Sequence, residues 1–282
     1  MMSFSRAPIV PVVRLAGPIG MATPLRPGLS LAGVSGALDR AFSMSKCEAV
    51  AVTINSPGGS PVQSNLIFRR IRQLATDKKK RVYVFCEDVA ASGGYFIAIA
   101  GDEIYVDPSS IVGSIGVISA TFGFDKALDR LGIERRLYTS GTAKSFLDPF
   151  APERPEDVAR LATIQREIHA TFIAAVKERR AGKLTVADED VFSGAFWTGS
   201  RARDLGLVDG VDDIRSRMQS LFGPKVKLKP VAMAGGGLLS KLRRLPAGEG
   251  MIGLLPGAGM KGLARDALAT LEERAMWSRY GL

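Results

Sequence analysis

Histidine is almost missing from this chain of 282 residues: His169 is the only one. A serine–histidine–aspartate relay therefore has a single candidate base, and a histidine-rich metal site has no material. Cysteine is nearly as scarce. Cys47 and Cys86 form neither a CxxC pair nor a metal-ligand spacing, so they read as free thiols of a reducing compartment, with one bridge as the alternative. No run reaches the ~18 consecutive apolar residues expected of a membrane-crossing helix. The uncharged stretch Pro108–Phe124 is too rich in glycine and serine to serve. Near the N-terminus, VPVVRLAG is broken by Pro11 and Arg14, which leaves no long secretory apolar core. These absences predict a cytoplasmic protein with no anchor, no metal and no cofactor.

Positive charge, by contrast, is plentiful and uneven. From Gly223 to Leu282 there are ten Lys/Arg against four Asp/Glu, so 10 − 4 = 6 of the formal +10 lies in that segment. Such a tail reads as a solvated arm or as a peripheral contact for an acidic membrane surface. Nucleic acid is not an expected partner, because no aromatic–basic interleaving accompanies the charge. The same segment carries Gly235–Gly237, Gly248, Gly250 and Gly253 with Pro246 and Pro256. The expected division is a folded domain over residues 1–222 and a basic, glycine-rich arm over 223–282 ending in a helix, Leu263–Trp277.

Within the first part, short apolar runs alternate with helical periodicity. Strands are predicted at residues 8–16, Ala49–Ile54, Val82–Cys86, Ile104–Val106, Ile115–Ser119 and Ile133–Tyr138. Helices are predicted around Leu31–Phe42, Val62–Leu74, Ser92–Ala100 and Phe124–Leu131. A long amphipathic helix follows over Pro155–Arg180, with Leu161, Ile164, Ile168, Phe172 and Val176 as its stripe. This order predicts an α/β fold with a largely parallel sheet covered by helices. In such sheets ligands sit at the carboxyl ends of the strands. Two glycine-rich turns fall there: INSPGGS (Ile54–Ser60) and the ASGGY that begins at Ala91.

Ser92, set beside two glycines, is a candidate acyl-transfer nucleophile, since close-approaching backbone N–H groups form an oxyanion hole. Its structural alternative is a helix N-cap. With histidine so scarce, the search for a base turns to lysine. His169 lies next to Ile168 on the apolar stripe and reads as a partly buried structural residue. Asp88 reads as a cap or ion-pair residue near the loop.

The run DVAASGGYFIAIAGDEIYVDPSSIVGSIGV, together with INSPGGS, SGTAKSFLDPF and WTGSRARDLGLVDGV, resembles the S49 family of serine peptidases, the signal peptide peptidase A group. The likeness runs from about Val10 to Val211 and implies a crotonase- and ClpP-like fold using a Ser–Lys dyad. By motif, Ser92 corresponds to the nucleophile and Lys144, 144 − 92 = 52 residues later, to the general base. Ser114 corresponds to the serine that orients the lysine, while the Gly59 and Gly93 amides correspond to the oxyanion donors. Asn55 and Ser56 are expected to shape the SPGG turn. A free lysine titrates near ~10.4, so keeping it neutral at pH 7 costs about 4–5 kcal/mol and requires burial.

The resemblance further implies a homo-oligomeric ring or bowl, eight-membered for a single-unit chain, in which Ser and Lys can come from different protomers. Its substrates would be cleaved signal peptides or other unfolded, apolar-rich peptides. Three alternatives stand beside it: a processing peptidase with a dedicated membrane or phage-head target, a crotonase-like acyl-CoA-binding protein, and a catalytically silent scaffold.

Overall fold

Three parallel strands with apolar residues on both faces form the middle of the molecule. They are β1 (Ile9–Ala16), β2 (Ala49–Ser56) and β3 (Arg81–Ala91), with Val13 opposite Val52 and Val52 opposite Val84. The computed structural model describes residues 7–20, 28–141, 143–233, 270–271 and 273–281. Helices α1 (Leu31–Met44) and α2 (Pro61–Lys78) make the two crossovers. Each begins at a serine whose hydroxyl accepts a backbone N–H: Ser30 from Gly33, and Ser60 from Gln63 with Pro61 at the first helical position.

The period of two along the strands divides the core. Val50, Val52 and Ile54 face α1 and α2 in the larger cluster. Ala49 and Ala51 face the other way, with Tyr83, Phe85 and Tyr105. Each fully buried isoleucine or leucine in the larger cluster contributes about 1.5–3 kcal/mol relative to an exposed one.

Beyond Cys86 the sheet forks. The outer edge of β3 pairs first with β4 (Glu103–Val106), through Tyr83–Cys86, and then with β5 (Ile111–Gly113), through Val89–Ala91. Antiparallel β6 (Phe196–Thr198) continues from β5, and β7 (Gly210–Val211) adds to β4. The short α3 (Gly93–Ala98) follows β3, and all six of its residues are buried. Further on lie α4 (Asp125–Arg130), α5 (Pro155–Arg179), α6 (Asp188–Val191) and α7 (Gly199–Asp204). Then α8 (Ile214–Phe222) places Met218 over the smaller core cluster.

Several expectations change. The strand predicted at Ile115–Ser119 lies instead at Ile111–Gly113. Gly113 (φ +108°) and Ser114 (φ +52°) are consecutive left-handed residues that end the pairing, so the apolar letters after them cannot extend the strand. Ile133–Tyr138 has strand-like letters but no regular structure; it pairs with no strand among the described residues and its residues are exposed. Chain position 222 is not the end of the sheet, since β8 (Lys227–Pro230) pairs in parallel with β1. Of the expected terminal helix, residues 263–269 lie outside the described residues, as does the glycine-rich stretch before them, and residues 273–278 are helical.

Candidate active site

Ser92 occupies the single residue between β3 and α3, with φ +51° and ψ −120°. A non-glycine residue in this region costs on the order of 1–3 kcal/mol and persists only where its surroundings hold it. Here the Ser92 N–H donates to the Gly113 carbonyl (2.8 Å), and the Ser92 carbonyl accepts from Phe96 N–H (2.9 Å). The hydroxyl makes no capping bond to α3, so the N-cap alternative does not account for it.

The SPGG turn meets this corner from the end of β2. Ser56 Oγ accepts the Gly58 N–H (3.2 Å), and Asn55 ties the turn to β3 by accepting from Val89 N–H (3.2 Å). Asn55 Nδ2 also donates to Asp88 (2.6 Å), which places Asp88 in a supporting role. Gly59, with φ +138°, is clamped against Ile19: Ile19 N–H donates to the Gly58 carbonyl (2.8 Å), and Ser60 N–H donates to the Ile19 carbonyl (2.9 Å). A Cβ on Gly59 would run into that Ile19 carbonyl, so only glycine fits. A Cβ on Gly93 would lie 3.4 Å from the Gly59 nitrogen, which shows how closely the two segments approach. Among the described residues neither the Gly59 nor the Gly93 N–H has an acceptor.

Two cavities meet at Ser92. The larger, about 900 Å³, is lined by Ser92, Ser114 and Gly59, and also by His169, Phe196 and Tyr280. The smaller, about 180 Å³, is bounded mostly by apolar groups, among them Val62, Phe96, Val117, Ile168 and Phe172, with Gly93 at its mouth. The structure thus brings Ser92, Ser114, Gly59 and Gly93 together. It does not bring Lys144, which lines neither cavity within one chain and sits exposed in an irregular turn over residues 143–147. That turn belongs to a projecting stretch, residues 118–150, whose large apolar side chains are uncovered: Phe122 is 78% exposed, Leu131 71% and Tyr138 89%. The first half of α5 is similarly bare, and of the expected stripe only Phe172 and Val176 are buried.

Residues 195–211 form the frame of the site. Trp197 fills the space beside Gly113, and Ala195 accepts the Ser114 N–H (2.7 Å). Tyr95, three residues after Ser92, donates through its hydroxyl to the Leu207 carbonyl (2.7 Å). Asp209 accepts from Ile104 N–H (2.8 Å), Arg180 (2.7 Å) and Lys183 (2.6 Å). Burial opposes its charge, but these partners outweigh burial and hold the carboxyl below its usual range.

Sequence reasoning missed the C-terminal residues at the cleft. The Tyr280 ring packs edge-on against Phe196 (5.2 Å between centroids), and its hydroxyl approaches the Pro57 carbonyl at 3.5 Å. No periodicity or motif links residue 280 to residue 57; only the fold does. Among the described residues no group of His, Cys, Asp and Glu is arranged to hold a metal ion, and no helix is long and apolar enough to cross a membrane.

Residues 74–224 match the model of peptidase family S49, and the chain belongs to that family. Its α/β architecture, a mostly parallel sheet flanked by helices, agrees with the crotonase- and ClpP-like fold. The chain is 55% identical over 274 residues to a protein of Brucella abortus named Na(+)/H(+) antiporter NhaA, covering 97% of this chain and 37% of that protein. It is 28% identical over 254 residues to the chloroplastic serine protease SPPA of Arabidopsis thaliana, covering 80% of this chain and 37% of that protein. The chain therefore spans little more than a third of the length of these relatives. Most of the antiporter-named protein lies outside the match.

Proposed function

We propose that this chain is the catalytic unit of a serine endopeptidase that cuts unfolded, apolar-rich peptides, cleaved signal peptides among them. The observation that carries the reading is Ser92: a strained serine whose hydroxyl does not cap α3, beside two glycine amides with no acceptor among the described residues, where a long cleft meets a small apolar cavity. The long cleft receives the peptide, and the small cavity receives an apolar side chain next to the cut. Ser92 Oγ attacks the peptide carbonyl. The carbonyl oxygen, now negative, is held by the Gly59 and Gly93 N–H groups, a donor of this kind being worth about 3–4 kcal/mol of barrier.

Lys144 takes the serine proton and returns it to the leaving amine, with Ser114 orienting the ammonium. Water then cleaves the acyl-enzyme with the same lysine as base. Because Lys144 lies outside the cleft of its own chain, it serves the Ser92 of a neighbouring copy in a homo-oligomer. The uncovered apolar groups on residues 118–150 support this, since exposed patches of that size mark contact surfaces. The test is digestion of a peptide library by wild type and by Ser92→Ala, read by mass spectrometry. The reading expects cuts next to apolar residues that vanish in the variant; equal cutting by both would refute it.

A further inference from the structure

We infer that His169 is a positioning residue for the catalytic turn, an inference that rests on the Ser92 reading above. His169 lies on α5 and lines the larger cavity, and its Nε2 is 2.9 Å from the Ile115 carbonyl. A carbonyl only accepts, so Nε2 carries the proton in this bond and donates it. Ile115 is fully buried, so its carbonyl has no water to turn to when that donor is lost.

What the bond holds is the turn from Ser114 to Gly116. Its backbone follows two consecutive left-handed residues, a conformation that reverts unless it is fastened. Among the described residues three bonds fasten it: Ser114 N–H to the Ala195 carbonyl (2.7 Å), Gly116 N–H to the Ser114 carbonyl (2.9 Å), and His169 to Ile115. The second is internal to the turn, so Ala195 on one side and His169 on the other are its external anchors. The turn presents Ser114 to the cleft, Gly116 and Val117 line both cavities, and the adjoining Gly113 carbonyl holds the Ser92 amide. A slack anchor at Ile115 therefore shifts the groups that orient the base and border the cut. The neighbours of His169 on the same helix, Ile168 and Phe172, wall the apolar cavity, so one helix sets the shape of that cavity and the position of the turn together.

The test compares wild type, Ser92→Ala, His169→Phe and His169→Gln as full-length proteins. Kcat, KM and thermal midpoint are measured on one apolar peptide. His169→Phe keeps the bulk and loses the donor; His169→Gln restores an amide N–H at similar reach. The expected result is a fall in kcat of about tenfold to a hundredfold for His169→Phe with KM little changed, as displacement of positioned groups produces. His169→Gln is expected to recover much of that loss, even where both variants lower the thermal midpoint equally. A purely structural role predicts that kcat follows the folded fraction and does not separate Phe from Gln, and that outcome overturns the inference alone. Activity that persists in Ser92→Ala, or a wild type that cuts nothing, overturns the nucleophile and this inference with it.

Discussion

Mixing two dead variants is the sharpest test of the divided dyad. Ser92→Ala removes the nucleophile and keeps Lys144; Lys144→Ala does the reverse. Removing a general base typically lowers the rate by about 10²–10⁴, so each variant alone is expected near background. In a single chain Lys144 is exposed on the projecting segment and absent from both cavities at Ser92. If each site takes its serine from one protomer and its lysine from the next, an equal random mixture leaves the serine intact in half the sites. In half of those the lysine donor is also intact, so about a quarter of wild-type activity returns, given a head-to-tail ring in which every interface is alike. The assay is cleavage of a fluorogenic apolar peptide after the variants are co-expressed or dissociated and reassembled together. Light scattering and mass spectrometry confirm mixed assemblies. A mixture that contains both subunits and stays as inactive as its parents refutes the argument.

Other perturbations probe the frame. Gly59→Ala forces a Cβ at φ +138° against the Ile19 carbonyl and tilts one oxyanion donor, so kcat should fall by about 10²–10³; an unchanged kcat would remove that amide from the mechanism. Asp209→Asn strands the Arg180 guanidinium, only 3% exposed, and should cost about 3–5 kcal/mol in denaturant titration. Since the folded Asp209 carboxyl titrates below its usual 3.8, its contribution is present at neutral pH and is lost as pH falls below that value. The Asn variant should accordingly show a flatter acid limb of stability, and an equally steep limb would contradict the assignment. Burial pushes the Cys86 thiol up to about 12, so in the native protein alkylation at pH 8 should label the half-buried Cys47 and spare Cys86; peptide mapping reads the result. Tyr280→Ala removes the ring that packs on Phe196 at the cleft and should lower KM for long peptides, whereas a raised KM would make that ring part of the binding surface.

Much of the fold was legible because its signals are local. The unbroken apolar run Val82–Cys86 and the spacing of Leu31, Val34 and Leu38 report a strand covered on both faces and a buried helix face, and the structure has β3 and α1 there. The serine and glycines of the two turns were legible for a related reason. Where two backbone segments pack this closely few residue types fit: a Cβ on Gly59 would meet the Ile19 backbone, and one on Gly93 would have to displace the Ser64 hydroxyl. The misread strands fail for physical causes. Ile115–Ser119 has strand letters but follows a backbone that Gly113 and Ser114 have already turned aside. Ile133–Tyr138 has strand letters, but its residues are exposed and pair with no strand among the described residues.

By itself, then, the sequence determined the alternation of strands and helices, the placing of glycine-rich turns at strand ends, and the setting of Ser92 between one such turn and a buried helix, because each is written in neighbouring residues. Only the tertiary structure decided that His169 bonds the Ile115 carbonyl, that Tyr280 reaches Pro57, that β8 pairs with the edge of β1, and that Lys144 lines neither cavity at its own Ser92. Those are meetings between residues far apart along the chain, and the packing of the whole sheet and its helices selects them.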